Sequence, residues 1–226
     1  MAIRTILFDL DGTLVDSYEA ITDGLNEARR AFGLPPKSLA EVRREVGRGL
    51  ESLIEDNLGP DRVEQGVRIF RERYRSVFRS GTRLLPGVEA TLPVLRRRGY
   101  GMGVTSNKPG YFCREIISSL GLSDLFGAVY GPEMVSHPKP HPEMILRALR
   151  DLQGCPEEAA YVGDMVIDIE TAHRAGIPAC VIPSGGHSRE ELTRARPDAL
   201  VERFEDLLLL FPGAEHAALL PPIPSP

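Results

Sequence analysis

The chain is poor in cysteine, in lysine and in long runs of any one character. Its three cysteines, Cys113, Cys155 and Cys180, are widely spaced and make no CxxC pair. An odd, scattered set argues against a disulfide framework and for a reducing compartment, and the three read as small, partly buried side chains. The densest basic stretch is Arg96-Arg97-Arg98 in a chain of net charge −5. Nucleic-acid binders usually carry a basic excess on one stretch, so no nucleic-acid partner is expected. The cluster ends a predicted helix, where cations suit the dipole. The first apolar run, Ile3 to Phe8, stops at Asp9. It is too short for a signal segment or a membrane span, and a soluble cytoplasmic protein is expected. Only Lys37, Lys108 and Lys139 are lysines among 27 basic residues, so each marks a place where a compact charge can matter.

What is present is a core. Hydrophobic residues make up 42% of 226, enough for one large domain or for a medium domain with a smaller one inserted. Ile3 to Phe8 reads as a strand, short and near-continuously apolar, as a parallel strand covered on both faces should be. Further strands are expected at Gly101 to Thr105, Ala128 to Tyr130, Ala159 to Gly163 and Ala179 to Ile182. Helices are expected at Val88 to Arg98, Pro109 to Leu120, Pro142 to Leu152 and Asp168 to Ala175, with Pro93 kinking the first or delaying its start. The alternation predicts an α/β fold with a Rossmann-like parallel sheet.

Residues 16–80 break the pattern. They hold no good strand and several helices, with apolar stripes at Ile21, Leu25, Ala28, Phe32 and at Val63, Val67, Phe70, Tyr74, Val77. Asp16 or Ser17 caps the first of these, Gly33 ends it, and Ser38 to Glu41 spells a capping box. The expected organisation is a core of 1–15 and 81–211, an inserted all-helical unit at 16–80, and a proline-rich tail at 212–226.

Chemistry concentrates at the ends of the strands. In Phe8-Asp9-Leu10-Asp11-Gly12-Thr13, residues two apart share a face, so Asp9 and Asp11 project together, and Gly12 permits a sharp turn. In parallel sheets ligands bind beyond the carboxyl ends of strands. Asp164 ends another strand and Asp168 follows one helical turn later. Four acids in one place require positive charge, which a divalent cation with oxygen ligands would supply together with Lys139 between two prolines. Thr105, Ser106 and Asn107 end a third strand with hydroxyl and amide groups suited to an anion. His137 and His141 flank Lys139, but the prolines forbid the helix that would make their spacing a metal pair. His173 reads as a helix surface residue.

These segments resemble the four motifs of the haloacid dehalogenase superfamily: FDLDGTLVDS at 8–17, TSNK at 105–108, KPHPE at 139–143 and GDMVID at 163–168. Order and spacing match over about residues 1–211, and the helical block at 16–80 resembles the family's cap. The resemblance implies a Mg2+-dependent phosphatase acting on a small phosphorylated metabolite, with Asp9 as nucleophile and Asp11 as general acid and then base. It implies metal ligation by Asp9, the Asp11 carbonyl oxygen and Asp164, with Asp168 ordering ligands or water, and phosphoryl binding by Thr105 and Lys139. Asp11 and the acids at 164 and 168 favour phosphate chemistry over dehalogenation. The segments at 16–36, 105–112 and 160–178 are similar to the phosphoglycolate phosphatase group, whereas PSGGHSREEL at 183–192 departs from it. The loop Val46-Gly47-Arg48-Gly49 resembles the cap specificity loop, which implies that Arg48 reaches a substrate carboxylate or second phosphate. A phosphosugar mutase, a pyrophosphatase and a catalytically dead binding protein are the rivals, and a monomer or a homodimer is open.

Overall fold

The computed structural model describes residues 2–213; the proline-rich tail lies, from residue 214 onward, outside the described residues. The chain opens with β1 (Thr5–Phe8), a two-residue β2 (Val15–Asp16) and four helices, α1 (Tyr18–Ala31), α2 (Leu39–Glu45), α3 (Leu50–Leu58) and α4 (Val63–Val77). It continues through β3 (Arg83–Leu84), α5 (Val88–Arg97), β4 (Gly101–Thr105), α6 (Gly110–Ser119), β5 (Ala128–Tyr130) and α7 (Glu143–Asp151). The last elements are β6 (Ala159–Gly163), α8 (Val166–Arg174), β7 (Ala179–Val181), α9 (Arg189–Arg194), β8 (Ala199–Leu200) and α10 (Leu207–Leu210).

Six strands form one sheet in the order β5-β4-β1-β6-β7-β8, parallel throughout. β1 is central, with Phe8 level with Val104 of β4 and Val162 of β6. Successive side chains of β1 enter different cores. Ile6 and Phe8 join the larger cluster with Val104, Val162 and Leu92, while Leu7 joins Tyr161, Met144, Ile145 and Val181 on the opposite face. That is why β1 carries no alternation of polarity: both faces are covered. Phe8 is fixed further by Phe126, edge-on at 6.2 Å, and by Phe204, stacked at 6.1 Å. The strand that ends in Asp9 is therefore among the most constrained in the molecule. Strand order also reverses at β1, β4 and β5 lying to one side and β6 to the other, and a crevice opens at such a switch point.

The helical stretch from Tyr18 to Val77 is joined to the sheet through β2 and β3, which pair antiparallel, Val15 with Leu84 and Asp16 with Arg83. The capping box is formed: Ser38 N–H donates to Glu41 Oε2 at 2.8 Å and Glu41 N–H to Ser38 Oγ at 3.4 Å. Ser17 occupies the N-cap of α1 without capping it; its hydroxyl is used elsewhere. Ile21, Leu25, Ala28, Val67, Phe70 and Tyr74 are buried as their stripes require. α5 starts at Val88 and runs through Pro93 to Arg97, so the late start does not occur. Arg98, last of the basic cluster, donates to the carbonyl oxygens of Leu208 and Phe211, both at 2.7 Å, and so ties the end of the described chain to α5. All three cysteines are free, Cys113 and Cys180 buried and Cys155 exposed.

Candidate active site

Asp9 leaves β1 with its N–H still bonded to Val162 of β6 at 2.9 Å. Gly12 then turns the chain at φ 87°. A Cβ on Gly12 would overlap the Asp164 carboxylate and the Tyr18 hydroxyl, so both backbone conformation and space demand glycine here. Asp164 follows β6, and Thr13 donates its hydroxyl to Asp164 Oδ1 at 2.7 Å. Asp168, on the first turn of α8, accepts from the N–H groups of Asp164 at 3.1 Å and Met165 at 3.0 Å through Oδ2. Its Oδ1 accepts from Lys139 Nζ at 2.9 Å. Both oxygens of Asp168 are thus engaged by the protein.

The remaining acids have spare oxygens. Asp9, Asp164 and Asp168 each place one carboxylate oxygen within 4.8 Å of the others. Lys139 Nζ lies 3.1 Å from Asp9 Oδ1 without the alignment of a hydrogen bond, so Asp9 Oδ1 and Asp164 Oδ2 are both buried and free of hydrogen bonds. Buried carboxylate oxygens left without donors are costly. The electrostatics agree. Burial pushes the Asp9 carboxyl up to about 6, against the pull of Lys139 and with the charges of Asp168 and Asp11 adding to the rise. Asp164 is raised well above the carboxylate range by burial and by Asp168 and Asp9. Burial pulls the Lys139 ammonium down, but Asp168 and Asp9 together outweigh it and hold the charge. Four carboxylates face two ammonium groups, Lys139 and Lys108, a deficit of two positive charges. A hard divalent cation fits both that deficit and the oxygen-only donor set. Asp9 and Asp164 have oxygens to give it, and Asp168 orients them.

Lys108 is the residue that motif reading left without a role. Its Nζ lies 2.9 Å from Asp11 Oδ2 and 4.7 Å from the centre of the Tyr74 ring. Burial lowers its affinity for a proton, but Asp11 and Tyr74 more than compensate and raise it. Ser17 donates to the other Asp11 oxygen, Oδ1, at 2.5 Å. The signal available in the sequence was scarcity: two of the chain's three lysines stand in this one cleft.

Two of the expected site residues are placed outside the cleft lining. Thr105 is fully buried, and its hydroxyl turns inward to donate to Tyr161 Oη at 3.1 Å. Ser106 and Asn107 line the cleft instead. Asn107 bridges: Nδ2 donates to the Lys139 carbonyl at 3.1 Å and the Gly47 carbonyl at 3.0 Å, and Oδ1 accepts from Lys139 N–H at 3.0 Å. Arg48 does not reach the cleft. Gly47 and Gly49 line it, while the Arg48 side chain is 64% exposed and pairs with Asp56 on the solvent side. His137 and His141 lie exposed beside Glu143, whose carboxylate is already held by the N–H groups of Ser136 and His137 and by Arg147.

A cleft lies between the sheet and the helical segment, over the acids. Asp9, Asp11, Asp168, Lys108 and Lys139 form its floor, and residues from α1, α3 and α4 with Met165 and Phe112 form its walls. Tyr74 of α4 meets Phe112 of α6 edge-on at 4.7 Å, so helical segment and sheet unit are in apolar contact beside the acids.

This arrangement has known counterparts. Residues 6–182 match the model of the haloacid dehalogenase-like hydrolases. A protein of Photorhabdus laumondii named phosphoglycolate phosphatase is 34% identical over 213 residues, 91% of each chain. A probable phosphatase, IndB, of Dickeya dadantii is 32% identical over 220 residues, covering 95% of this chain and 94% of its own. The crystal structure of a predicted phosphoglycolate phosphatase from Haemophilus somnus superposes with a TM-score of 0.86 at 29% identity, covering 92% of this chain and 97% of that one. The match of fold, motif order and family model over most of the length places this chain in the haloacid dehalogenase-like hydrolase family.

Proposed function

We propose that the protein is a Mg2+-dependent phosphatase that hydrolyses a small phosphorylated metabolite through an aspartyl-phosphate on Asp9. The observation that carries this reading is the pair of orphaned, buried oxygens, Asp9 Oδ1 and Asp164 Oδ2, beside Lys139 at the carboxyl ends of β1 and β6. Asp9 and Asp164, with the Asp11 carbonyl oxygen, would hold Mg2+, which would supply positive charge for the phosphoryl oxygens.

The chain's own groups do the rest. Asp9 attacks phosphorus, and the bond from phosphorus to the leaving oxygen breaks. Asp11 delivers a proton to that oxygen, then takes one from the water that opens the acyl phosphate. Ser17 donates to Asp11 Oδ1 and Lys108 to Asp11 Oδ2, and together they orient this carboxyl. Lys139, Ser106 and the loop ordered by Asn107 bind phosphoryl oxygens, while Asp168 keeps Lys139 and the turn after β6 in place. Residues 16–80 act as the lid, docked through the Gly47 carbonyl on Asn107, and keep bulk solvent out of the cleft.

Among the described residues no helix is long and apolar enough to cross a membrane. The three free cysteines suit the cytoplasm. Phosphoglycolate is the substrate in the names of several relatives and heads the panel for this chain. The test is phosphate release from phosphoglycolate, hexose phosphates, nucleotides and pyrophosphate, with Mg2+ and with EDTA. Metal-dependent release from a monoester supports the reading. Release from pyrophosphate alone, or conversion of a hexose phosphate without release, overturns it.

A further inference from the structure

We infer that the leaving group this cleft selects is neutral and apolar, an alkyl or aryl alcohol, and not a carboxylate-bearing one. The inference rests on the phosphatase reading and concerns the half of the cleft that reading leaves undescribed. That half is walled by Ile21, Leu50, Leu53, Phe70, Tyr74 and Phe112, which bring hydrocarbon and one phenol to the space above the acids. The cationic side chains lining the cleft are Lys108 and Lys139, and neither is free. Lys108 is 2.9 Å from Asp11, and Lys139 is 2.9 Å from Asp168 and 3.1 Å from Asp9. Arg43 and Arg48 do not line the cleft and are engaged elsewhere. Arg48 pairs with Asp56, and Arg43 lies over the Tyr18 ring at 4.5 Å and 3.5 Å from Asp16.

The charges make the choice. With Asp11 carrying the proton it will deliver, three carboxylates, two lysines and one divalent cation leave a single positive charge, and the phosphoryl group's own negative charge more than consumes it. A second anion placed among leucine and phenylalanine side chains would be desolvated with no partner of its own. A hydrocarbon group of the same shape loses nothing on entry and gains from burial, by about fourfold per methylene. Phosphoglycolate and isobutyl phosphate make a matched pair, since the carboxylate and the isopropyl group are nearly the same size.

The experiment compares kcat/KM for these two esters on the full chain with Mg2+, alongside 4-methylpentyl phosphate and p-nitrophenyl phosphate. The expected result is a preference of at least about tenfold for isobutyl phosphate over phosphoglycolate, rising with chain length to 4-methylpentyl phosphate. Leu53→Lys should move the ratio toward phosphoglycolate by about tenfold or more, and Leu50→Lys serves if the first variant does not fold. Equal or better use of phosphoglycolate by the wild type overturns the inference and gives carboxylate recognition to Lys108 or to the backbone amides that open α3. In that case p-nitrophenyl phosphate is still hydrolysed and the phosphatase reading stands. If no ester releases phosphate with Mg2+, both fall together.

Discussion

Asp9→Asn should abolish turnover and, in the metal-free protein, make the fold more stable. Asparagine keeps the volume of aspartate and removes a buried charge. In the metal-free chain the Asp9 carboxyl stands at about 6 against an ordinary 3.8, a value that already includes the attraction of Lys139. That difference is about two pH units, or about 3 kcal/mol of cost to the ionised form. For a chain of this size 1 kcal/mol moves the melting temperature by about 2–4 °C, so the variant should melt about 6–12 °C above wild type in EDTA at pH 7.5. The sign follows from linkage. The folded state holds its proton to higher pH than the unfolded state, so the penalty grows between about pH 4 and pH 6 and is complete above. The advantage of Asp9→Asn should therefore shrink to nothing near pH 4. Added Mg2+ should raise the wild-type melting temperature and raise that of the variant much less. Thermal melts across pH, with and without metal, read all of this. A variant that melts at or below wild type in EDTA at neutral pH would refute the argument that the acid cluster is a strained, charge-deficient site.

Five further variants have expected outcomes. Lys108→Met should lower kcat by about 10²-fold, because it releases Asp11 from its ion pair. Ser106→Ala should cost about tenfold or more in kcat/KM, whereas Thr105→Val should cost about 1 kcal/mol of stability with little change in rate, since the Thr105 hydroxyl faces Tyr161; steady-state kinetics and urea melts separate the two. Arg48→Ala should leave KM within about twofold, as expected for an exposed pair. Gly185→Ala should weaken Mg2+ binding by tenfold or more in a calorimetric titration, because a Cβ there would overlap the Asp164 carboxylate.

The parallel sheet could be read from sequence because its longer strands are short, largely apolar runs. β4, β5 and β6 match their expected ends, and β1 and β7 differ by one or two residues at a terminus. The acid cluster was legible because Asp9, Asp11 and Asp164 follow strand ends and Asp168 stands one helical turn beyond, positions that parity and topology determine. What was hidden depended on partners far away in the chain. Lys108 meets Asp11 across 97 residues, and nothing local to either announces the contact. Arg48 is set between glycines, which signals a turning backbone but not the direction of a long side chain. Thr105 and Ser106 point opposite ways by alternation, yet which one faces the cleft is decided by where β4 ends against its neighbours. β2, β3 and β8 are two residues each, too short for any period to register. The departure at 183–192 also has a structural account: Ser184 donates to the Gly12 carbonyl at 2.6 Å, and Gly185 leaves room for Asp164, so this loop buttresses the turn after β1.

The two-strand ribbon has a consequence for how such a molecule can change. Because Asp16 and Arg83 are cross-strand neighbours, the helical segment leaves and re-enters the core at one point. Its length is then almost invisible to the sheet, since the ends of the excursion are already held together whatever lies between them. The ribbon works as a socket. Walls of different chemistry can be exchanged above an unchanged nucleophile, and a chimera cut between 16 and 83 should carry its donor's substrate preference onto the recipient's acids.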